Sequence, residues 1–442
     1  MKKAAICYFH SSFSEYVRVS KSLNPKEEEY VKRRQAVVEK YLKDKGTEYK
    51  QEHVPVIAVL GSGGGERAMV GLLGALAQME EEKLLDSITY LCGVSGSTWC
   101  MASLYEDPKW SVNVAADKKK IVDRLSDGKF SISDMLDWLS VAVEDENYSL
   151  TDFWAATVVF NSIKEVSDES KTQNEGRCHS TNPYPIYTAI DKGLKQDNQT
   201  APCWFEISPH EAGYSHVGAY VDTSLFGSQF ENGKPKTLPK EEDMLYLQGL
   251  CGSALADGME DTKQILQWIW DWIRSNMISF FLAGFFHIPA ALLSDEKRNL
   301  EDAGILLNSP YVAALRPERK VDLILSFDFS SDDPFLTVKK AADYCKEAGI
   351  PFPSLVIEPG EEKNPKDFYV FKDETKAPIV IHIPLFNTVN CGENIEEWRR
   401  RYKTFQGPYS KEMIEDLLLV SSLNVKNNKE KILNEIKAVC AC

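Results

Sequence analysis

The stretch Leu91-Cys92-Gly93-Val94-Ser95-Gly96-Ser97-Thr98-Trp99 decides the fold. An apolar run, Ile88 to Cys92, leads into a serine flanked by glycines, and helix-compatible residues follow from Thr98 to Tyr105. A strand, a tight turn and a helix in that order lift a serine hydroxyl clear of the backbone as a nucleophile. Glycines suit the turn because it is strained and neighbouring backbone passes close by. The usual pattern is G-x-S-x-G; here Ser97 takes the last place, a small-residue variant. A small-residue turn without chemistry would read the same way.

The segment upstream bears on that choice. Val54 to Leu60 (VPVIAVL) is a short apolar run rich in β-branched residues, the mark of a buried strand. It ends in Gly61-Ser62-Gly63-Gly64-Gly65-Glu66-Arg67, after which Met69, Leu72, Leu73, Leu76 and Met79 mark one face of a helix. A glycine run between strand and helix offers N–H groups at the positive end of a helix dipole, where an anion can sit. That anion could be a nucleotide phosphate or a reaction oxyanion. The nucleotide motifs fail: there is no G-x-x-x-x-G-K-[ST], and the third glycine of G-x-G-x-x-G would fall at Glu66. An oxyanion hole serving the downstream serine fits better than a glycine turn that merely packs. The two strands and the helix between them form a right-handed βαβ unit, hence a parallel sheet flanked by helices.

With 442 residues the chain can bury a large core, as one large domain or two intimately joined ones. Apolar residues make up 43% and charged ones 26%, the balance of a soluble globular protein. A net charge of −15 argues against nucleic acid and gives no bulk attraction to anionic lipid. The clusters Lys32-Arg33-Arg34, Lys118-Lys119-Lys120 and Arg399-Arg400-Arg401 read as solvated helix faces rather than lipid sites. Ala4 to Phe9 is too short for a signal-peptide core. Ten cysteines without C-x-x-C pairs or metal spacing read as reduced thiols of a cytosolic protein. The terminal Cys440-Ala441-Cys442 is not a prenylation box, although a C-x-C end can accept prenyl groups in small membrane-traffic GTPases.

Along the chain, Asn24-Pro25 opens a helix that Gly46 stops. Residues 106–200 read as polar, helical or looped, with a charged stretch from Lys164 to Arg177. Trp204 to Ser208, Val321 to Phe329, Ser354 to Ile357 and Pro378 to Ile383 read as strands, Phe226 to Glu242 as a loop, and Leu417 to Val439 as helical. Residues 264–293 combine three tryptophans with an uncharged run, Met277 to Leu293, that holds Phe280 and Phe281. The run falls short of the roughly 20 apolar residues that span a bilayer. It reads as a buried core helix or as a lid, acyl-chain wall or interfacial helix.

A nucleophilic serine needs a base. The order Ser95, Asp302, His382 would allow a Ser-Asp-His triad. His382, however, alternates within a strand and has the marks of a structural residue. A Ser-Asp dyad is the other solution. Asp302 is followed by Ala303-Gly304, small residues that let another backbone approach, and shielding would raise its proton affinity. Composition does not single it out from 66 acidic residues.

LGSGGGERAM, GVSGSTW, WFEISPHEAGY (204–214), LFGSQF (225–230), LQGLCGSALAD (247–257), DAG…NSPY and LILSFDFS together closely resemble the cytosolic, group IV phospholipase A2 family. ENYSLTDFWA (146–155) and NPYPIYTAID (182–191) look most like its gamma branch, which lacks an N-terminal calcium-binding domain. The resemblance implies an α/β fold with an α/β-hydrolase-like, patatin-like central sheet, a nucleophile elbow, flanking helices and an inserted cap or lid. It implies an N-terminal helical extension over residues 1–50 and one catalytic domain over 51–442, with cap insertions within about 106–300. Matched motif by motif, Ser95 corresponds to the nucleophile, Asp302 to its base, Gly64 and Gly65 to the oxyanion donors, and Arg67 to the arginine that holds the lipid phosphate. The resemblance further implies calcium-independent phospholipase A2 and lysophospholipase activity with no metal or cofactor, acting at phospholipid membrane surfaces from the cytoplasm. Glu66 departs from the family, which is apolar there; a carboxylate beside the anion site would weaken phosphate binding unless it faces solvent.

Overall fold

Strand β2 (Ile57–Gly61) is buried at all five residues, and so are all four of β3 (Tyr90–Gly93). Uninterrupted apolar runs of this kind belong where a sheet is covered on both faces. The computed structural model describes residues 16–50, 53–128, 135, 138, 155, 159–164, 180–195, 202–228, 230–231, 234–235, 244–252, 300–373, 376–392, 394–404 and 408–441. Among them one sheet of eleven strands forms the centre. Its middle is parallel, with β4 (Tyr184–Lys195), β3, β2, β11 (Leu323–Asp328) and β13 (Ile379–Pro384) side by side. On one flank β5 (Pro202–Ile207), β6 (Glu211–Tyr214), β7 (Ala219–Asp222) and β1 (Val17–Val19) add antiparallel neighbours; on the other, β12 (Tyr369–Phe371) closes the edge. A two-stranded hairpin, β8 (Phe230–Glu231) with β9 (Lys234–Pro235), stands apart inside the stretch expected to be a loop.

Two apolar cores cover the two faces. One gathers helices α2 (Glu66–Glu81), α3 (Gly96–Leu104), α4 (Trp110–Asp127) and, from the C-terminal part, α7 (Lys411–Lys426) and α8 (Lys429–Ala441). The other is built from α6 (Leu336–Ala348), Tyr311, Phe335 and Tyr30 of α1 (Pro25–Asp44). Fully burying each such aliphatic side chain stabilises by about 1.5–3 kcal/mol. Helix α5 (Met244–Gly252) packs on α3, where Trp99 Nε1 donates to the Gln248 carbonyl over 3.0 Å. Helix α7 runs beside α2 in the same direction. Tyr409, just before α7, meets Glu66; Leu418 meets Gly74; Lys429, just after it, pairs with Glu82 at 2.8 Å.

Helix α1 starts where Asn24 caps it and Pro25 fixes its first turn. Its buried Arg34 donates to the carbonyls of Ile88, Thr181 and Leu85, so the helix is tied to the entry of β3.

The sequence expectations differ from the structure at several places. Residues 182–195, read as helix or loop, contain the twelve-residue β4. Polar Thr188 and Asp191 disguise it, yet both are buried, Thr188 donating to the Gly93 carbonyl and Asp191 accepting from Tyr214. Ser354 to Ile357 has no regular secondary structure and pairs with no strand among the described residues. The terminal helical region breaks in two at Asn427 and Asn428. Arg33, Lys119, Lys120, Arg399 and Arg401 pair with acidic neighbours, but Arg34, expected on the same solvated face as Arg33, is buried and bound to backbone carbonyls. Seven cysteines among the described residues are free thiols, and Cys440 is buried in α8. The charged stretch 165–177, the segment 264–293 and Cys442 lie outside the described residues. No helix among the described residues is long and apolar enough to cross a membrane.

Candidate active site

Ser95 occupies the turn between β3 and α3 with φ +52° and ψ −128°. A non-glycine residue there carries strain of order 1–3 kcal/mol, held only because its surroundings over-determine it. The restraints are visible. The Val94 amide donates to Gly61, the Ser97 amide to Val94, and both the amide and the hydroxyl of Thr98 to the Ser95 carbonyl. Ser97 earns its place in the variant motif: its hydroxyl donates to the Ser62 carbonyl over 2.6 Å and lies under Gly61. The elbow is thereby fastened to the glycine loop.

That loop passes very close. A Cβ on Gly96 would stand 1.9 Å from the Gly65 carbonyl oxygen, and one on Gly63 would stand 2.9 Å from Ser95 Cβ. Gly65 has φ +58° and caps α2 with no side chain, so no side-chain cap occupies the N-terminal donors of the helix. The N–H groups of Gly64 and Gly65 have no protein acceptor among the described residues.

Strand β4 brings the carboxylate to the serine. Gly93 of β3 pairs with Tyr187. Beyond the end of β3 the same edge of β4 is taken by β10 (Leu300–Asp302), whose Asp302 pairs with Ala189. Two β4 residues separate those levels, roughly 6–7 Å along the strand, and the chain from Gly93 to Ser95 covers a similar step. The Asp302 carboxylate accepts the Gly304 amide at 2.7 Å, and the Ser95 hydroxyl lies near enough to lower its proton affinity. Ser95 and Asp302 are both 8% exposed. Burial pushes the Asp302 carboxyl up to about 6, and the nearby Ser95 hydroxyl and the Gly304 amide hold it from rising further.

His382 lies elsewhere. It is in register with Ser326, which is in register with Leu60, in turn with Cys92. Three strand spacings, roughly 14 Å, therefore separate it from the nucleophile's strand. Its Nε2 donates to the Pro334 carbonyl at 2.7 Å, and burial lowers its proton affinity. It is a core histidine.

Arg67 is 1% exposed. Its Nε donates to the Phe329 carbonyl at 2.6 Å, Nη1 to the Tyr402 carbonyl, and Nη2 to Thr404 Oγ1 at 3.2 Å. Nη2 also lies under Gly64, where a Cβ would meet it at 2.8 Å. Glu66 does not face solvent. It is 5% exposed; one oxygen accepts the Tyr409 amide at 3.0 Å and the other has no hydrogen-bond partner among the described residues.

Sequence reasoning assigned no role to Asn308, which joins the base to the glycine loop. Its carbonyl accepts the Gly63 amide, and its Nδ2 donates to the Gly63 carbonyl at 3.2 Å and to Ser330 at 3.0 Å. The signal was its place six residues after Asp302, within the quoted NSPY. Tyr402, Thr404 and Tyr409 gave no local signal.

Residues 57–262 match the lysophospholipase catalytic domain family. Cytosolic phospholipase A2 gamma from Homo sapiens is 33% identical, covering 96% of this chain and 97% of that protein. The chain belongs to the cytosolic phospholipase A2 family. Its Mus musculus gamma relative is 32% identical over 88% of this chain and 87% of that one. Human GIVD cytosolic phospholipase A2 superposes with a TM-score of 0.82 at 27% identity, covering 97% of this chain and 66% of that chain. The elbow, glycine loop and mixed sheet described above are thus the frame of a phospholipid-hydrolysing enzyme, a phospholipase with a patatin-like α/β fold.

Proposed function

We propose that this phospholipase cleaves the sn-2 ester of glycerophospholipids with a Ser95–Asp302 dyad, without calcium, at the membrane surface. The placement of the Ser95 turn and the buried Asp302 carboxylate at one edge of β4, near enough for the hydroxyl to act on the carboxylate, is the observation that supports the reading. Asp302 takes the proton as Ser95 Oγ attacks the ester carbonyl. The negative charge that develops on the carbonyl oxygen is met by the N–H groups of Gly64 and Gly65, aligned by the strained loop before contact with substrate. The lysophospholipid alcohol leaves with the proton from Asp302. Water, deprotonated by the same carboxylate, then releases the fatty acid from the acyl-serine. A lysophospholipid can enter the same pocket as substrate, and its hydroxyl can replace water, which gives lysophospholipase and transacylase reactions. Arg67 places a positive charge directly beneath Gly64, attractive to a lipid phosphate; direct contact requires Nη2 to leave Thr404.

The test compares wild type with Ser95→Ala on phosphatidylcholine vesicles labelled in the sn-2 chain, in EGTA. Release by wild type and none by the variant is expected. One solved relative is a complex of human GIVD cytosolic phospholipase A2 with methyl gamma-linolenyl fluorophosphonate. The same reagent should label this chain at Ser95 and leave Ser95→Ala unlabelled. Release that stops in EGTA, or labelling of the variant, would overturn the mechanism.

A further inference from the structure

Glu66 and Arg67, consecutive residues in the first turn of α2, grip a segment more than three hundred positions downstream. Arg67 holds residues 402 and 404 through the Tyr402 carbonyl and the Thr404 hydroxyl. Glu66 holds residue 409 through its amide. The segment closes on itself, with the Tyr409 hydroxyl donating to the Lys403 carbonyl at 3.3 Å and the Tyr402 and Tyr409 rings edge to face at 5.5 Å. It presses on the glycine loop from outside: a Cβ on Gly65 would stand 3.1 Å from the Thr404 carbonyl oxygen. Three supports therefore surround Gly64 and Gly65, namely the elbow at Gly96, Asn308 at Gly63, and residues 402–404 at Gly65.

We propose that Glu66 is a positioning residue: by anchoring Tyr409 it keeps residues 402–404 against Gly65 and so fixes the oxyanion donors of the reaction proposed above. Either protonation state can accept the Tyr409 amide, but only the neutral one leaves no charge beside the loop. The second oxygen is buried with no hydrogen-bond partner among the described residues, so a negative charge there is only partly compensated. Burial pushes the carboxyl up to about 8, and the Tyr409 amide and Lys164 hold it from rising further. The groups acting on it are Tyr409 on the C-terminal segment and, at longer range, Lys164 after the turn at 160–163. Arg67 is itself balanced by Tyr409, Asp332 and Asp328. At neutral pH Glu66 is a neutral clamp. Above about 8 it carries charge beside the loop that must receive an oxyanion, and repulsion opposes the reaction.

The test uses the full chain with Glu66→Ala and Glu66→Gln, and it has a readout that needs no lipid. Hydrogen exchange at the Tyr409 amide should accelerate about tenfold in Glu66→Ala, the scale of losing one buried hydrogen bond, and stay near wild type in Glu66→Gln. On phosphatidylcholine vesicles, kcat should fall about tenfold in Glu66→Ala with KM within about twofold. Wild type should lose activity above pH 8, and Glu66→Gln should keep it. Unchanged exchange in Glu66→Ala would overturn the clamp. Faster exchange with unchanged kcat would overturn the link to the oxyanion loop, as would an alkaline loss that persists in Glu66→Gln. If wild type hydrolyses no lipid, the proposed reaction is at fault and the exchange result alone decides the clamp.

Discussion

Two clusters of buried charge are handled in opposite ways. In one, Arg319 lies between Glu27 of α1 and Glu206 of β5, at 3.0 and 2.9 Å, and donates a third bond to the Ala313 carbonyl at 2.7 Å. Tyr90 donates to Glu27, and Arg316 stands 3.8 Å from Glu206. Opposite charges are desolvated together, and the guanidinium stays firmly protonated. In the other, Asp302 and Glu66 accept backbone hydrogen bonds and make no ion pair among the described residues, and both carboxyls are pushed up although Lys164 acts on Glu66 at longer range. The first arrangement fixes α1 and β5 to the sheet. The second keeps proton affinities near neutrality, where a base can both take and return a proton. Burial alone does not mark a carboxylate whose proton affinity is raised.

The contrast is open to attack from both sides. Asp302→Asn should lower kcat by about 10² to 10⁴, the usual share of a general base. The same change should raise stability at pH 7 by about 1–3 kcal/mol, measured by denaturant unfolding. The sign follows from the shift: the folded carboxyl titrates near 6 against 3.8 when free, so ionising it in the fold costs stability as pH rises through that interval. A loss of stability in Asp302→Asn would erase the distinction. Arg319→Met should do the reverse, destabilising by about 3–5 kcal/mol because Glu27 and Glu206 are left buried and unpaired. An Arg319→Met protein as stable as wild type would mean that the paired cluster is not paired in solution. The smallest effect is the most diagnostic. The acid limb of kcat/KM should have its midpoint near pH 6, with activity rising as Asp302 ionises. A midpoint near 4 would mean that the carboxylate is solvated when it acts.

The elbow and the glycine loop were legible in the sequence because their signals are local: glycines and small residues within seven or so positions, between apolar runs. Asp302 was legible only through resemblance, since nothing in Asp302-Ala303-Gly304 distinguishes it until β10 is laid on β4. That strand was itself hidden by Thr188, Asp191 and Lys192, residues that look exposed until Gly93 and Tyr214 are seen to satisfy the first two. The fate of Glu66 was the least legible. Its partner lies 343 positions away and comes near only because α7 runs beside α2. Local chemistry was readable, and what sets its proton affinity was not.

The placement of Ser95 and Asp302 on one edge of β4 has a consequence for how this enzyme can change. Their separation is set by hydrogen-bond register, which moves only in whole residues. About two hundred residues lie between them in the chain, yet none of that length enters the distance between the two side chains. Insertions and deletions in the intervening segment outside β4 leave the two residues where they are. The chain on either side of β4 is free to change in length, while the two side chains stay locked to a ruler.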